Sequence, residues 1–370
     1  MSTSTQAAAV QPKSDIIRNF APGWFASVMG TAVFVIELFV FQDIIPLAKT
    51  GQLLFLGLSF AMFVVILIPW TLRWFRHFDQ VQHDLTHPVS AAFFPTMPIS
   101  LIVGGIALEK AGPLFMPHET LLPILQGLWL VGTTGIGIFA LTILSIYFLK
   151  PDMKWQIANL GWLIPPVSAL IVPVLGGSLA TEYAGTTLGA INLIGSLIFL
   201  GIGGVLFLFV MGAVFSRYLF HDLLPAHLAP TIWIGIAPTA ILTIIIVKLV
   251  MPVTLFFNAP AEAAPILSVM AKALGVSLWG FAFFWLILAV LLTWQHHKKV
   301  ALPFAMSWWA FTFPLGAFVV STGVIFQATQ AGFFQWVGLA AMLGYVVIWG
   351  IVATRTVKGI LSGAIFQTHP

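Results

Sequence analysis

Cysteine is absent from this 370-residue sequence, which excludes disulfides, thiolate metal sites and cysteine nucleophiles. Charge is scarce: Asp, Glu, Lys and Arg make up 7% of the chain against 60% hydrophobic residues. Soluble domains carry about 25% charged residues, so this chain has too few to cover a water-facing surface, and lipid must supply much of its solvent. The net charge of +4 comes from basic residues scattered among short loops, with no basic stripe, so nucleic acid is not an expected partner. A nucleotide loop is missing as well. Gly201-Ile-Gly203-Gly204 lies inside an apolar run with no strand before it. No paired polar groups fall at membrane depth, which argues against an intramembrane enzyme. Met1–Arg18 is polar and lacks the apolar core of a cleavable signal peptide.

Long apolar runs are abundant instead. A membrane-crossing helix needs about 20 mainly apolar residues. Ten segments qualify, near 20–41, 51–72, 91–109, 121–149, 159–180, 187–215, 231–251, 267–294, 303–326 and 332–353. The expected fold is an all-α membrane protein with ten transmembrane helices. It divides into a tail (1–18), a transport domain (19–355) and a second tail (356–370). Ten is even, so both termini share one side. That side holds Lys13, Arg18, Arg73, Arg76, Lys150, Lys154, Arg217, Lys298, Lys299, Arg355 and Lys358; the other holds Lys49, Lys110, Lys248 and Lys272. Positive charge concentrates on the cytoplasmic side of membranes, which predicts cytoplasmic termini in a plasma membrane, the inner membrane if the source is a bacterium.

The odd-numbered segments share a proline near their start: Pro22, Pro95, Pro165, Pro238 and Pro314, at spacings of 73, 70, 73 and 76 residues. A near-constant period predicts five copies of one helical hairpin. Proline within a helix removes a hydrogen bond and kinks it, and a freed carbonyl is costly in hydrocarbon. Five such kinks at one depth suit an inner ring of odd helices surrounding an axis, with the even helices forming an outer ring.

Near these prolines the odd helices carry small and hydroxyl side chains. Gly23, Ser27, Ser100, Thr243, Thr312 and Pro314 are expected to line a pore, with Ala21, Ile164 and Ala237 completing the layer before the prolines. Helix packing explains small and hydroxyl residues equally well. A neutral path without a carboxylate ring is a poor cation filter and suits an anion drawn in by basic groups at its mouth. Glu37 and Lys248 fall late in helices 1 and 7, where a charge either snorkels to the interface or serves as a vestibule charge; Glu37 is also a potential proton-coupling group. His83 and His87 are four apart, but Pro88 interrupts a continuing helix and no third ligand is evident, so neither metal nor cofactor is expected. The residues leave open a gated anion pathway, a proton-coupled transporter and, more remotely, a membrane protein without transport activity.

Three motifs sharpen this reading. Ala21-Pro-Gly-Trp-Phe-Ala-Ser-Val-Met-Gly-Thr31, Asp84-Leu-Thr-His-Pro88 followed by Phe93-Phe94, and Trp308-Trp-Ala-Phe-Thr-Phe-Pro314 resemble signatures of the tellurite-resistance/dicarboxylate transporter family. Malate permeases, sulfite exporters and plant slow anion channels belong to it, and the likeness spans nearly the whole chain. It implies a homotrimer of independent pores, each formed by five inward helices within five outward ones. It implies small anions or C4-dicarboxylates such as malate as substrates. It also implies a pore-occluding phenylalanine just before the ninth-helix proline, which is Phe313. A ring at that point would block ions by size and by dewetting, and the following proline restricts its backbone. Phe94 holds the matching pre-proline position in the second hairpin and is the second gate candidate.

Overall fold

The computed structural model describes residues 13–151, 153–300 and 302–366. Most of the expected N-terminal tail (1–12) and the last four residues (367–370) lie outside the described residues. Among the described residues there are no strands, and ten helical segments are long and apolar enough to cross a membrane. They are spans 1 (Pro22–Val40), 2 (Ala48–Arg76), 3 (Ala91–Leu114), 4 (His118–Leu149), 5 (Leu160–Glu182), 6 (Thr187–Phe220), 7 (Ala226–Lys248), 8 (Ala263–Lys299), 9 (Met306–Thr329) and 10 (Gly332–Ser362). Every expected segment is present. The expected boundary at residue 355 falls inside span 10, whose helix runs to Leu361.

Burial alternates with span number. The most apolar stretches of the odd spans are 83–94% buried, those of the even spans 17–28%. The even spans present Val65, Ile138, Leu208, Phe284 and Leu343 outward, a surface that only hydrocarbon solvates well. Span 1 packs on span 3, span 3 on span 5, span 5 on span 7, span 7 on span 9, and span 9 back on span 1. The even spans are also the longer ones. Span 6 has 34 residues, about 50 Å at 1.5 Å per residue, which exceeds the hydrocarbon thickness unless the helix tilts or protrudes.

The repeated prolines sit at junctions rather than in mid-helix. Each odd span opens with a 3-10 segment: Pro22–Trp24, Ala91–Phe93, Leu160–Leu163, Ala226–Ile236 and Met306–Phe311. The α-helix follows. Pro165 and Pro238 are the second residues of their α-helices, Pro314 is the third, Pro95 immediately precedes Thr96–Ala111, and Pro22 begins its 3-10 turn. Backbone N–H groups in a first turn have no carbonyl within the helix to bond, so proline there breaks nothing. The expected kink is a change of helix type.

Indole and phenol donors tie the inner spans to the outer ones. Trp129 Nε1 donates to the Val172 carbonyl at 3.1 Å, Trp285 Nε1 to that of Ile232 at 2.9 Å, and Trp279 Nε1 to Thr322 Oγ1 at 2.8 Å. Trp309 Nε1 donates to Thr356 Oγ1, and the Tyr345 hydroxyl to the Gly30 carbonyl. Each buries an aromatic body while satisfying its polar end.

Candidate functional site

All five odd spans contribute to one small internal cavity of about 30 Å³. Val33 and Ile36 come from span 1, Val103 and Ile106 from span 3, and Ile171 and Val174 from span 5. Ile241, Ile244 and Lys248 come from span 7, and Phe313, Ala317 and Val320 from span 9. The space holds a water or two at most. Phe313 is buried, 6% exposed, and stands on this wall. The wall is otherwise made of branched aliphatic side chains and one alanine, with Lys248 its one charged residue.

The hydroxyl-lined path expected from the sequence is not what surrounds this cavity. Ser27 Oγ donates to the Trp24 carbonyl at 2.7 Å, Ser100 Oγ to Met97 at 2.6 Å, and Thr312 Oγ1 to Trp309 at 2.8 Å. Thr243 Oγ1 bonds the carbonyls of Thr239 and, on span 8, Gly275. These hydroxyls satisfy backbone acceptors within and between helices. Ser27 faces a crevice beside Met62 and Trp309, and Ser100 lines a small void with Val28 and Ser59. Ile164, Ala237 and Pro314 are buried and Ala21 is half-buried; none of them lines the cavity of Phe313. The sequence does carry a signal for the lining of this cavity: β-branched residues three apart recur at 33/36, 103/106, 171/174 and 241/244.

Phe94 does not reach this cavity. Its ring is fully buried between Trp74 of span 2 and Phe139 of span 4, with centroids 6.1 and 5.8 Å away. Its neighbour Phe93 is the residue turned inward. A Cβ on Gly23 of span 1 would come within 3.2 Å of the Phe93 ring, and one on Gly161 of span 5 within 3.7 Å. Gly23 thus makes room for the ring, which also lies in van der Waals range of Gly161, so that it sits between three inner spans on the side nearer the termini. Gly23 matters as the space that admits Phe93. The sequence offered two adjacent phenylalanines, and only the helix phase decides between them.

The segment leading to Phe93 is held from several directions. Arg73 forms a buried ion pair with Asp84 at 2.5 Å, and its Nε donates to the Arg18 carbonyl at 2.8 Å. The Pro88 carbonyl accepts from both Tyr147 and Trp162 at 2.8 Å, and Lys150 Nζ donates to Thr86. His87 Nδ1 accepts from the backbone N–H groups of Val89 and Ser90 at 3.3 and 3.2 Å. Burial, reinforced by the nearby His83, lowers the His87 pKa, with Asp84 partly opposing. The lowered pKa suits the accepting role, because a protonated Nδ1 has no lone pair to offer.

At the opposite end Lys248 reaches the cavity from the last turn of span 7. Its side chain is exposed within the mouth, near the Glu109–Lys110 pair, whose ions are 2.6 Å apart. Lys110 also lies over the Phe39 ring at 5.3 Å. Glu37 takes no part in this mouth. It is fully buried, and neither carboxylate oxygen has a hydrogen-bond partner. Among the described residues no three metal-ligating side chains come together.

Comparison with known proteins adds to this geometry. Residues 19–357 match the SLAC1 family, described as voltage-dependent anion channels. An uncharacterized transporter of Methanocaldococcus jannaschii is 30% identical over 98% of this chain and 99% of its own length. A second uncharacterized transporter of the same organism is 28% identical over 95% and 98%. The sulfite efflux pump SSU1 of Arthroderma benhamiae is 26% identical over 92% and 91%.

Proposed function

This chain belongs to the SLAC1 family of voltage-dependent anion channels, and on that premise we propose that its five odd spans enclose a single anion path closed by Phe313. It is a membrane anion transport protein, not an enzyme. The observation that carries the reading is the cavity to which every odd span contributes, with a buried phenylalanine on its wall and Lys248 toward one mouth. The closed circuit of odd-span contacts supports reading the five hairpins as a repeated ring. Phe313 blocks the path in the closed state. Lys248 raises the local anion concentration at its mouth, and Phe93 narrows the side nearer the termini.

The substrate is a small inorganic anion, with sulfite the first to test, because relatives covering nearly the whole chain are named sulfite efflux pumps. A C4-dicarboxylate such as malate is the competitor. The protein works as a homotrimer; separately, its lysine and arginine asymmetry supports placing both termini in the cytoplasm. Flux of sulfite, nitrate, chloride and malate is to be measured in liposomes containing the purified protein. Phe313→Ala raises flux of the permeant anion on the order of tenfold, equivalent to about 1.4 kcal/mol off the barrier. Unchanged flux in a folded, inserted variant overturns the gate. Malate uptake without inorganic anion uptake overturns the substrate.

A further inference from the structure

We infer that Glu37 is a proton-responsive positioning residue that links the ionisation of span 1 to the placement of the gate on span 9. The inference rests on the reading of Phe313 as the gate. Glu37 lies in the seam between span 1 and span 9, behind the Val33 and Ile36 wall of the cavity. A Cβ on Gly316 would fall 2.9 Å from Glu37 Oε1 and 2.5 Å from Val33 Cγ1. Gly316 is three residues, one helical turn, beyond Phe313. The carboxyl therefore bears directly on the helix that carries the gate.

Both carboxyl oxygens are buried and meet no donor. The groups facing them from each packed element do not supply one. Span 10 brings Tyr345, but its hydroxyl donates to the Gly30 carbonyl. Span 9 and the 3-10 segments opening spans 1 and 9 contain no titratable side chain. On span 3, Glu109 and Lys110 pair with one another, and Lys110 lies over Phe39. On span 2, Lys49 is exposed at the end remote from the termini, and Arg73, at the end nearer them, is paired with Asp84. A charged carboxylate without donor or counter-ion is not tolerated in a dry interior. The packing observed fits the neutral acid. The charged form needs water, and withdrawal of span 9 from span 1 at Gly316, where the carboxyl is in contact, opens a route for it. That withdrawal moves Phe313, so loss of the Glu37 proton and opening of the gate occur together.

Nitrate is the probe, because it does not titrate in the working range and its own protonation cannot produce a pH profile. Nitrate flux through the reconstituted protein is measured from mildly acidic to mildly alkaline pH for wild type, Glu37→Gln, Gly316→Ala and Phe313→Ala. Wild-type flux rises several-fold with pH. Glu37→Gln, neutral at every pH, stays low and flat. Gly316→Ala, whose methyl group competes with the carboxyl for one space, is raised at every pH. Phe313→Ala is high and loses the profile. A pH profile retained in Glu37→Gln overturns the inference while leaving the gate intact; Phe313→Ala without increased flux overturns the gate itself. If Glu37→Gln fails to insert, infrared difference spectra of the wild type decide. A protonated-carboxyl band that disappears over the same pH range as flux rises supports the linkage, and a band unchanged across that range overturns it.

Discussion

The Phe93 ring stands against Gly23, so close that a Cβ on the glycine would lie 3.2 Å from ring atom Cδ1. Contacts that tight require a neighbour to yield. The relationship ties the first signature motif to the second: the glycine of Pro22-Gly-Trp-Phe makes room for the first phenylalanine of the Phe93-Phe94 pair. Removing the ring by Phe93→Ala should widen the side nearer the termini and raise anion flux less than Phe313→Ala does. The double variant should exceed either. Gly23→Val should displace the ring and change flux on its own, while Phe93→Ala should suppress that effect. Liposome flux measures each variant, and a Gly23→Val effect that persists without the ring would sink the contact's role.

The hydroxyls of Ser27, Ser100, Thr243 and Thr312 are bonded to backbone carbonyls. Ser100→Ala should therefore alter anion flux by less than about twofold. Its cost should instead appear as a lower thermal midpoint, since a buried carbonyl loses a partner worth roughly 1 kcal/mol. A selectivity change without a stability change would restore the hydroxyl-lined pathway.

Lys248 is the single charge on the cavity wall. Lys248→Ala should lower flux roughly threefold to tenfold at low ionic strength, with the deficit shrinking as salt screens the mouth. Equal loss at all salt concentrations would assign the lysine to packing instead.

Arg73 and Asp84 form a buried pair at 2.5 Å, with side chains 4% and 14% exposed. Breaking such a pair from one side costs about 3–5 kcal/mol, whereas replacing both partners with apolar residues is often neutral. Asp84→Leu alone should lower the thermal unfolding temperature in detergent markedly, and Arg73→Met with Asp84→Leu should recover most of the loss. No recovery would mean that the Arg73 bond to the Arg18 carbonyl is the larger contribution.

His87 supplies a pH test outside the membrane. Its pKa is lowered in the fold, mainly by burial, so its contribution is complete above the unfolded value of about 6.5 and is lost as pH falls through the lower folded value. Protonation removes the acceptor for Val89 and Ser90. Hydrogen exchange at those amides, normalised for intrinsic rate, should accelerate under mildly acidic conditions in the wild type. The acceleration should be absent in His87→Ala, which is already fast at neutral pH. Flat protection across that range would exclude the cap.

Much of the architecture was legible in the residues because hydrocarbon imposes a simple length rule. Ten apolar runs became ten spans, and the even spans, free of the repeated proline, proved to be the exposed ones. The phase of side chains around the inner helices was not legible. Odd spans are buried on almost every face, so burial says little about which face meets the axis; Phe93 looks no different from Phe94, and only the recurring β-branched pairs such as Val33 and Ile36 mark the cavity wall.

Composition and spacing by themselves determined that the chain lives in lipid, how often it crosses, and that five of its helices begin alike. Those properties follow from transfer free energies and from proline's missing N–H, which act locally. Tertiary structure alone decided that the Thr243 hydroxyl reaches the Gly275 carbonyl, that Phe93 and not Phe94 lies against Gly23, and that Glu37 rests against Gly316. Each depends on which helix lies beside which and at what rotation, and packing between segments hundreds of residues apart sets both.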